Sequence, residues 1–163
     1  MAPGYGGSVT LLCWQGAQAA APLGMETVCP AMDWHGRWGS PRGRATLERT
    51  LAEPRARGAE RIVVAGLSNG GIGLSQLAGN LDADGLVFLS GVSARARRPR
   101  VPTLVLHGGR DSMTSPRVAA RWARSLGRRA RYVEVPDAGH WLLLSHHERV
   151  TQELRAFLEE VVR

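Results

Sequence analysis

Lysine is absent from this chain of 163 residues, and all 21 basic residues are arginine. A chain without lysine cannot form a Schiff base through a lysine amine, nor hold a nucleotide phosphate with the lysine of a phosphate-binding loop. Only 14 residues are acidic, so the formal net charge is +7. We expect no nucleic-acid binding, because no motif of a nucleic-acid-binding fold accompanies this charge.

Long apolar runs and cysteines are also scarce. No apolar run is long enough to span a bilayer, and no arginine or lysine precedes Arg37, so the stretch from Leu11 to Ala21 lacks the basic lead of a signal peptide. We therefore expect a cytoplasmic protein without membrane contact. Cys13 and Cys29 are predicted to be buried, reduced thiols in strands, since two cysteines make no disulfide framework. No Cys and His spacing suits zinc, and no cofactor is predicted.

The order of apolar runs predicts one α/β domain over residues 1–163, because this length and an apolar content of 44% suffice for one core. Six strands are predicted at Val9–Trp14, Thr27–Ala31, Arg61–Ala65, Gly85–Leu89, Thr103–His107 and Arg131–Val135. Helices are predicted at Ala45–Arg57, Asn69–Gly79, Ser115–Leu126 and His146–Val162, with a short helical turn at Ala17–Leu23. Alternation of this kind indicates a doubly wound, mostly parallel six-stranded sheet.

Ser68 lies in the sequence Gly66-Leu67-Ser68-Asn69-Gly70, directly after the strand predicted at Arg61–Ala65. A G-x-S-x-G pattern that ends a strand and opens a helix is typical of the nucleophile elbow of serine hydrolases. Its glycines are needed because the serine occupies a cramped turn that leaves no room for neighbouring Cβ atoms. The alternative is an ordinary strand–turn–helix connection with a solvent-facing serine.

An acid and a histidine follow further along the chain. Asp111 comes just after the strand predicted at Thr103–His107, and His140 follows the last predicted strand. The carboxyl ends of parallel strands form the edge where open α/β sheets place their sites. Asp137 is the rival acid, although its place after a proline favours a role in the turn.

These motifs and their order resemble the α/β-hydrolase family over nearly the whole chain. The matching segments are Gly66-Leu67-Ser68-Asn69-Gly70-Gly71, Leu106-His107-Gly108-Gly109-Arg110-Asp111 and Asp137-Ala138-Gly139-His140. The resemblance implies that Ser68 is the nucleophile, His140 the base and Asp111 the residue that orients the base. It also implies that the Asn69 backbone N–H forms half of the oxyanion hole. The chain is short for this family and is expected to be a minimal core that lacks its first strands.

The segment from Val9 to Gly16 resembles the family's strand that runs into a His-Gly oxyanion loop, with Gln15 in the place of the histidine. On this match Ala17 is the first choice for the second oxyanion N–H, and Gln15 and Gly16 are the alternatives. Four tryptophans lie in or beside segments expected at the mouth and suggest an aromatic rim, although a core role is the default for each. These are Trp14, Trp34, Trp38 and Trp141. We predict substrate contacts from Gln15, Gly16, Trp38 and Trp141.

The loop predicted at Ser90–Arg100 is too short for a lid domain, so we expect a shallow, open site. The loop contains Arg95, Arg97, Arg98 and Arg100. Such a run is usually solvated, and an acidic substrate or carrier is the sharper alternative. The expected activity is hydrolysis of an ester, thioester or lactone. Acyl transfer or cyclisation, and a ligand-binding pseudoenzyme, remain as alternatives on the same fold.

Overall fold

The computed structural model describes residues 1–5, 9–32 and 35–163. Six α-helices and four strands occur among these residues. They are α1 Val9–Ala20, α2 Pro41–Ala56, β1 Val63–Leu67, α3 Asn69–Leu77, β2 Gly85–Leu89, β3 Thr103–Gly108, α4 Pro116–Ser125, β4 Ala130–Val135, α5 Leu142–Ser145 and α6 His147–Val162. Short 3-10 turns occupy Ala21–Leu23 and Gly127–Arg129. No helix in the described ranges is both long and apolar enough to cross a membrane.

The four strands form one parallel sheet in the order β1-β2-β3-β4. Val87 of β2 pairs with Ala65 of β1 on one side and with Leu104 of β3 on the other. All four strands run in the same direction, so their carboxyl ends meet at one edge of the sheet. The loops that follow β1, β3 and β4 are therefore neighbours in space.

Helices cover both faces of the sheet. Leu86 and Phe88 point into a core formed with α2, α3 and α4, whereas Val87 and Leu89 point into a second core formed with α1 and α6. Because both faces are buried, β2 is a continuous apolar run, as is usual for strands inside a parallel sheet. The predicted α/β class is thus confirmed, but the described residues contain four strands and not six.

The prediction of a strand at Val9–Trp14 is wrong, because this segment belongs to α1. The buried residues Leu12, Gln15, Gly16, Ala19 and Ala20 follow the spacing of one helix face. This face packs mainly against α6. The first turn of α1 is an apolar run and therefore resembles a strand. The helical spacing of buried residues becomes visible only when the residues after this turn are included.

The prediction of a strand at Thr27–Ala31 is also wrong, since this segment has neither helical nor strand hydrogen bonding. The outer edge of β1 pairs instead with Ala2, in an isolated parallel bridge to Gly66. The Ala2 N–H donates to Ala65 O at 2.7 Å, and the Leu67 N–H donates to Ala2 O at 3.1 Å. The first described residues thus lie directly beside the strand that leads to Ser68.

The two cysteines are paired in a disulfide, so the prediction of reduced thiols is wrong. Their Cα atoms lie 6.1 Å apart, within the range that a disulfide spans. The pairing follows from the helical conformation of α1, which turns Cys13 toward the segment that contains Cys29. The disulfide therefore fastens α1 to this irregular segment.

Asp84 ties the entrances of β1 and β2 together. Its carboxylate accepts the Ile62 N–H at 2.8 Å and the Arg55 guanidinium at 2.7 Å. Burial alone would raise the pKa of this carboxyl, but these donors outweigh burial and hold the pKa below its ordinary value. A carboxyl with a depressed pKa in the folded state stabilises the fold above its unfolded pKa and loses this contribution as the pH falls through the folded value.

Asp84→Asn should lower the free energy of unfolding by about 1–2 kcal/mol at neutral pH, because a neutral amide replaces the charged acceptor. The difference from the original protein should shrink as the pH falls below about 4, where the original carboxyl is protonated as well. Urea unfolding across pH measures both effects. Asp82→Asn is the matched control, since Asp82 is exposed and lies 3.7 Å from Arg55. An equal loss in both variants would contradict the assignment.

Candidate active site

Ser68 lies between the end of β1 and the start of α3, with φ 51° and ψ −118°. A positive φ is costly for a residue with a side chain and persists only where the surroundings enforce it. The flanking chain segments approach very closely. A Cβ added at Gly70 would lie 2.1 Å from Ala2 O, and one at Gly66 would lie 2.7 Å from the backbone of Gly70. Only glycine at both positions permits this sharp strand-to-helix turn.

The loops after β3 and β4 bring two further side chains to Ser68. His140 Nε2 lies 3.0 Å from Ser68 Oγ, and His140 Nδ1 lies 2.9 Å from Asp111 Oδ2. The imidazole and the carboxylate are buried, whereas Ser68 is partly exposed. The structure thus brings the three sequence-predicted residues into one hydrogen-bonded series, in which the serine is the member that a substrate can reach.

The Asp111 carboxylate is surrounded by donors. Oδ1 accepts the N–H groups of Met113 at 2.8 Å and Thr114 at 2.9 Å, and Oδ2 accepts the Thr114 hydroxyl at 2.8 Å. Burial by itself would raise the pKa of Asp111, but the bonds from Thr114, His140 and Met113 outweigh it and hold the pKa below its ordinary value. An ionised carboxylate can only accept, so His140 Nδ1 carries a proton, and in the neutral form of this ring Nε2 is the acceptor that faces Ser68.

Asp137, the rival acid, points elsewhere. Its Oδ2 lies 3.2 Å from His146 Nε2, and its side chain is exposed. The carboxylate hydrogen-bonded to His140 is that of Asp111, so the structure separates the two candidates by position.

Asn69 is the first residue of α3 and directly follows Ser68. N–H groups in the first turn of a helix have no acceptor within the helix, so they are available to a ligand. The Asn69 side chain donates to His35 O at 3.2 Å, which ties the elbow to the segment that begins at residue 35. The backbone N–H of Asn69 thus lies in the first turn of α3, directly after Ser68.

The other predicted oxyanion residues are not brought to Ser68. Ala17 lies in the middle of α1, where its N–H is used by the helical hydrogen bond to the residue four positions earlier. Gln15 is buried at the contact between α1 and α6, and its side-chain amide donates to His147 O and to the Thr151 hydroxyl. Gly16 faces Met1. All three assignments followed from the mistaken strand at Val9–Trp14 and are corrected with it.

The segment that does approach Ser68 on this side is the one at Gly4. A Cβ added at Gly4 would lie 3.0 Å from Ser68 Cβ, 3.1 Å from Leu67 O and 3.6 Å from Ser68 Oγ. Gly4 follows the Ala2 bridge to β1, so it occupies the end of a strand-like segment at the same edge as the elbow. Sequence reasoning missed it. The Pro3-Gly4-Tyr5 sequence was the available signal, because such residues mark a turn.

The predicted tryptophan contacts separate into two kinds. Trp38 is completely buried, so it cannot touch a substrate. Its Nε1–H donates to Pro3 O at 2.8 Å and thereby holds the segment that contains Gly4. Trp141 is 59% exposed and packs edge-on against the His140 ring. Trp14 is exposed on α1, and Trp34 lies outside the described residues. Of the three in the described ranges, Trp141 is the one placed against a site side chain.

A cavity of about 500 Å³ lies near the beginning of β1. Its lining is mainly apolar and includes Met25, Leu51, Ile62 and Leu158. Ser68, Asp111 and His140 are not among its lining residues, so its volume does not describe the space in front of the serine. That space is bounded by the loops at the carboxyl edge of the sheet.

Residues 43–147 match the sequence profile of the α/β-hydrolase fold family, which covers more than half of the chain. The chain belongs to the α/β-hydrolase family. Membership of this family supports a hydrolase activity in general terms. Comparison with curated proteins finds no significant match.

Solved structures of several α/β hydrolases share the fold. A candidate hydrolase of the α/β superfamily from Xanthomonas campestris pv. campestris superposes with a TM-score of 0.73 at 22% identity, covering 97% of this chain and 95% of that one. An α/β serine hydrolase without a lid from Xanthomonas campestris gives 0.62 at 22% identity, covering 96% and 73%. A thermophilic esterase from Thermogutta terrifontis gives 0.56 at 20% identity, covering 72% of each chain. Identities this low show the fold.

If Ser68 is the nucleophile, as the sequence predicts, Gly4→Ala should lower kcat by roughly tenfold or more, because the new methyl group would crowd the Ser68 side chain and small displacements at a reacting atom are costly. The measurement is kcat on an activated ester together with the melting temperature. Gly139→Ala is the matched control. Gly139 also adjoins a site residue, but a Cβ there meets no atom within 4 Å. Equal activity of the two variants would contradict the placement of Gly4.

Proposed function

We propose that this α/β hydrolase cleaves an ester, thioester or lactone through a covalent acyl-enzyme on Ser68. The observation that carries the proposal is the series from Ser68 Oγ to His140 Nε2 at 3.0 Å and from His140 Nδ1 to Asp111 Oδ2 at 2.9 Å. A serine hydroxyl is a weak nucleophile until an adjacent base accepts its proton. The spacing is within the range that such a nucleophile and its base require.

In the first step Ser68 Oγ forms a bond to the carbonyl carbon while its proton passes to His140 Nε2. The imidazolium that forms lies against the Asp111 carboxylate, which offsets its charge. Collapse of the tetrahedral intermediate expels the leaving group, which takes the proton from Nε2. Water then attacks the acyl-enzyme by the same route, with His140 as base, and releases the carboxylic acid and free Ser68.

The oxyanion of each tetrahedral intermediate would be stabilised by backbone N–H groups. We assign one to Asn69 and the other to the segment at Gly4, in place of Ala17. The support is proximity, because Gly4 approaches the Ser68 side chain closely and Asn69 is the next residue in the chain. Preorganised donors of this kind contribute about 3–4 kcal/mol each in a measured protease.

Ser68→Ala and His140→Ala should each reduce kcat by roughly 10⁴-fold or more, and the double variant should be little worse than either. The reason is that nucleophile and base act as one unit. Activity should also rise as the pH increases through the range in which imidazoles lose their proton, since a protonated base cannot accept one. A serine-reactive phosphonate should label the native protein at Ser68, as read by peptide mapping, and should not label Ser68→Ala.

Ser75→Ala is a matched control for the labelling, because Ser75 is buried in α3 and its hydroxyl donates to Ile72 O. Substantial turnover by purified Ser68→Ala, with contaminating esterases removed by a second purification, would refute the mechanism. Labelled protein without ester turnover would instead favour acyl transfer. That alternative is tested by adding a thiol or alcohol acceptor and analysing the products.

The mouth of the proposed site is open. The connection between β2 and β3 contains neither helix nor strand, so no lid domain is inserted there. Exposed apolar side chains lie near the proposed site instead: Trp141 is 59% exposed beside His140, and Tyr5 is 58% exposed next to Gly4. Side chains on such a rim offer a flat apolar surface and no deep channel.

We expect the highest kcat/KM for short or flat acyl groups and no jump in rate when substrate forms micelles, because no lid has to open. Nitrophenyl esters of increasing chain length, assayed below and above micelle formation, measure both. Trp141→Ala should reduce kcat/KM more for a benzoyl than for an acetyl ester, whereas the exposed Trp14 on α1 provides the control substitution Trp14→Ala. A strong preference for long chains with activation at the interface would contradict an open site.

The arginine-rich connection is a further part of the proposal. Arg95, Arg97, Arg98 and Arg100 are all exposed. No ion pair involves them among the described residues. Arginines that have no ion pair within the described ranges suit an acidic substrate or an acidic acyl carrier. Such an attraction weakens with added salt.

A further inference from the structure

A second histidine contacts the acid of the proposed triad from behind. His107 is the penultimate residue of β3, and its side chain is completely buried. Its Nε2 lies 3.2 Å from Asp111 Oδ2, the same oxygen that His140 Nδ1 approaches at 2.9 Å. The Thr114 hydroxyl lies 3.2 Å and the Thr114 carbonyl oxygen 3.4 Å from His107 Nε2. Two imidazoles therefore share one carboxylate oxygen.

The surroundings decide where the His107 proton resides. Nε2 faces a carboxylate oxygen and a carbonyl oxygen, which can only accept. The Thr114 hydroxyl has one hydrogen and two acceptors of its own, Asp111 Oδ2 and Ser90 O, each at 2.8 Å. Nε2 must therefore carry the proton. His107 Nδ1 is buried and has no hydrogen-bond partner among the described residues, so a proton there would be an unpaired buried donor.

The neutral form of His107 with the proton on Nε2 satisfies all of these contacts. Burial lowers the pKa of His107, and it outweighs the opposing attraction of the Asp111 charge. The titratable groups that influence His107 are Asp111 and His140. A neutral donor has a specific advantage at this place. It can hold the Asp111 carboxylate in position by a hydrogen bond alone. A cationic His107 would instead bring a second positive charge next to Oδ2, the oxygen that has to stabilise the imidazolium of His140.

We propose that His107 is a positioning residue that acts through Asp111: its Nε2–H holds Oδ2 in the orientation that His140 requires and moderates how strongly this oxygen attracts the proton on His140. The inference rests on the proposed function, because it assigns His107 a part in the same reaction. His107 itself touches neither Ser68 nor the space in front of it. Its effect is thus expected in kcat and in the pH profile, and not in substrate binding.

The test compares His107→Met with His107→Gln. The two side chains match in length, but only glutamine can place an N–H near the position of Nε2. We expect kcat of His107→Met to fall ten- to a hundredfold with little change in KM, as for loss of a hydrogen bond to a charged group. The acid limb of its pH–kcat profile should move to higher pH, because a carboxylate with one donor fewer attracts the neighbouring imidazole proton more strongly. His107→Gln should recover most of kcat and of the pH profile.

Equal kcat and unchanged pH profiles in both variants, with lowered melting temperatures, would overturn the proposal and leave His107 a packing residue. If His107→Met does not fold, the proposal can still be tested by a measurement on the original protein. Nitrogen-15 NMR of labelled histidines should show His107 predominantly neutral with the proton on Nε2 at pH 7 to 9, because burial lowers the pKa of His107. A cationic His107, or a proton on Nδ1, would overturn the proposal. This measurement needs no turnover, so it can fail or succeed independently of the proposed function, which labelling of Ser68 tests.

Discussion

The close backbone packing around Ser68 is the constraint on which the rest of the site depends. A Cβ at Gly91 would lie 2.2 Å from Ser68 O, and one at Gly70 would lie 2.1 Å from Ala2 O. The elbow is thus held between the end of β2 on one side and the strand-like segment at Ala2 on the other. A serine with a positive φ costs free energy, and this packing maintains it. The turn, and with it the direction of the Ser68 hydroxyl, is therefore set by backbone contacts.

The Asp111 carboxylate is the electrostatic counterpart of this packing. Its burial would favour the neutral acid, but three donors from Met113 and Thr114 and the His140 imidazole hold its pKa below the ordinary value. A fixed negative charge in a poorly solvated place orients every group around it. It determines which nitrogen of His140 carries the proton and, through the same oxygen, which nitrogen of His107 does. The loop after β3 thereby defines the proton positions that the proposed reaction needs.

The part of the fold that follows the elbow could be predicted from the sequence. The prediction for β2, Gly85–Leu89, coincides with the structure, and α6 begins one residue after its predicted start. Strands that are buried on both faces are continuous apolar runs between glycine and proline signals, and α6 shows a clear helical spacing of apolar residues. These patterns are local, so a single sequence contains them. The same patterns located Ser68, Asp111 and His140 at the ends of three strands.

The part before the elbow could not be predicted, for two different physical reasons. Short apolar runs do not distinguish helix from strand, and Gly16 in the middle of α1 interrupted a helical pattern that its buried face nevertheless follows. The segment that does pair with β1 forms a single bridge at Ala2. One residue has no periodicity, so its pairing depends wholly on tertiary contacts. The error then passed to the site, because the oxyanion loop is predicted after the supposed strand, whereas the segment that approaches Ser68 is the one at Gly4.

An open mouth also has a consequence for the chemistry. In the proposed mechanism His140 Nε2 accepts a proton from whichever hydroxyl lies next to it. This is the hydroxyl of Ser68 in the first step and that of the acyl acceptor in the second. With no lid domain between β2 and β3, water would reach the proposed acyl-enzyme freely. A transferase would have to bind its acceptor well enough to compete with this water, because the base does not distinguish the two. Hydrolysis is therefore the outcome that this architecture favours unless a second molecule occupies the rim beside Trp141.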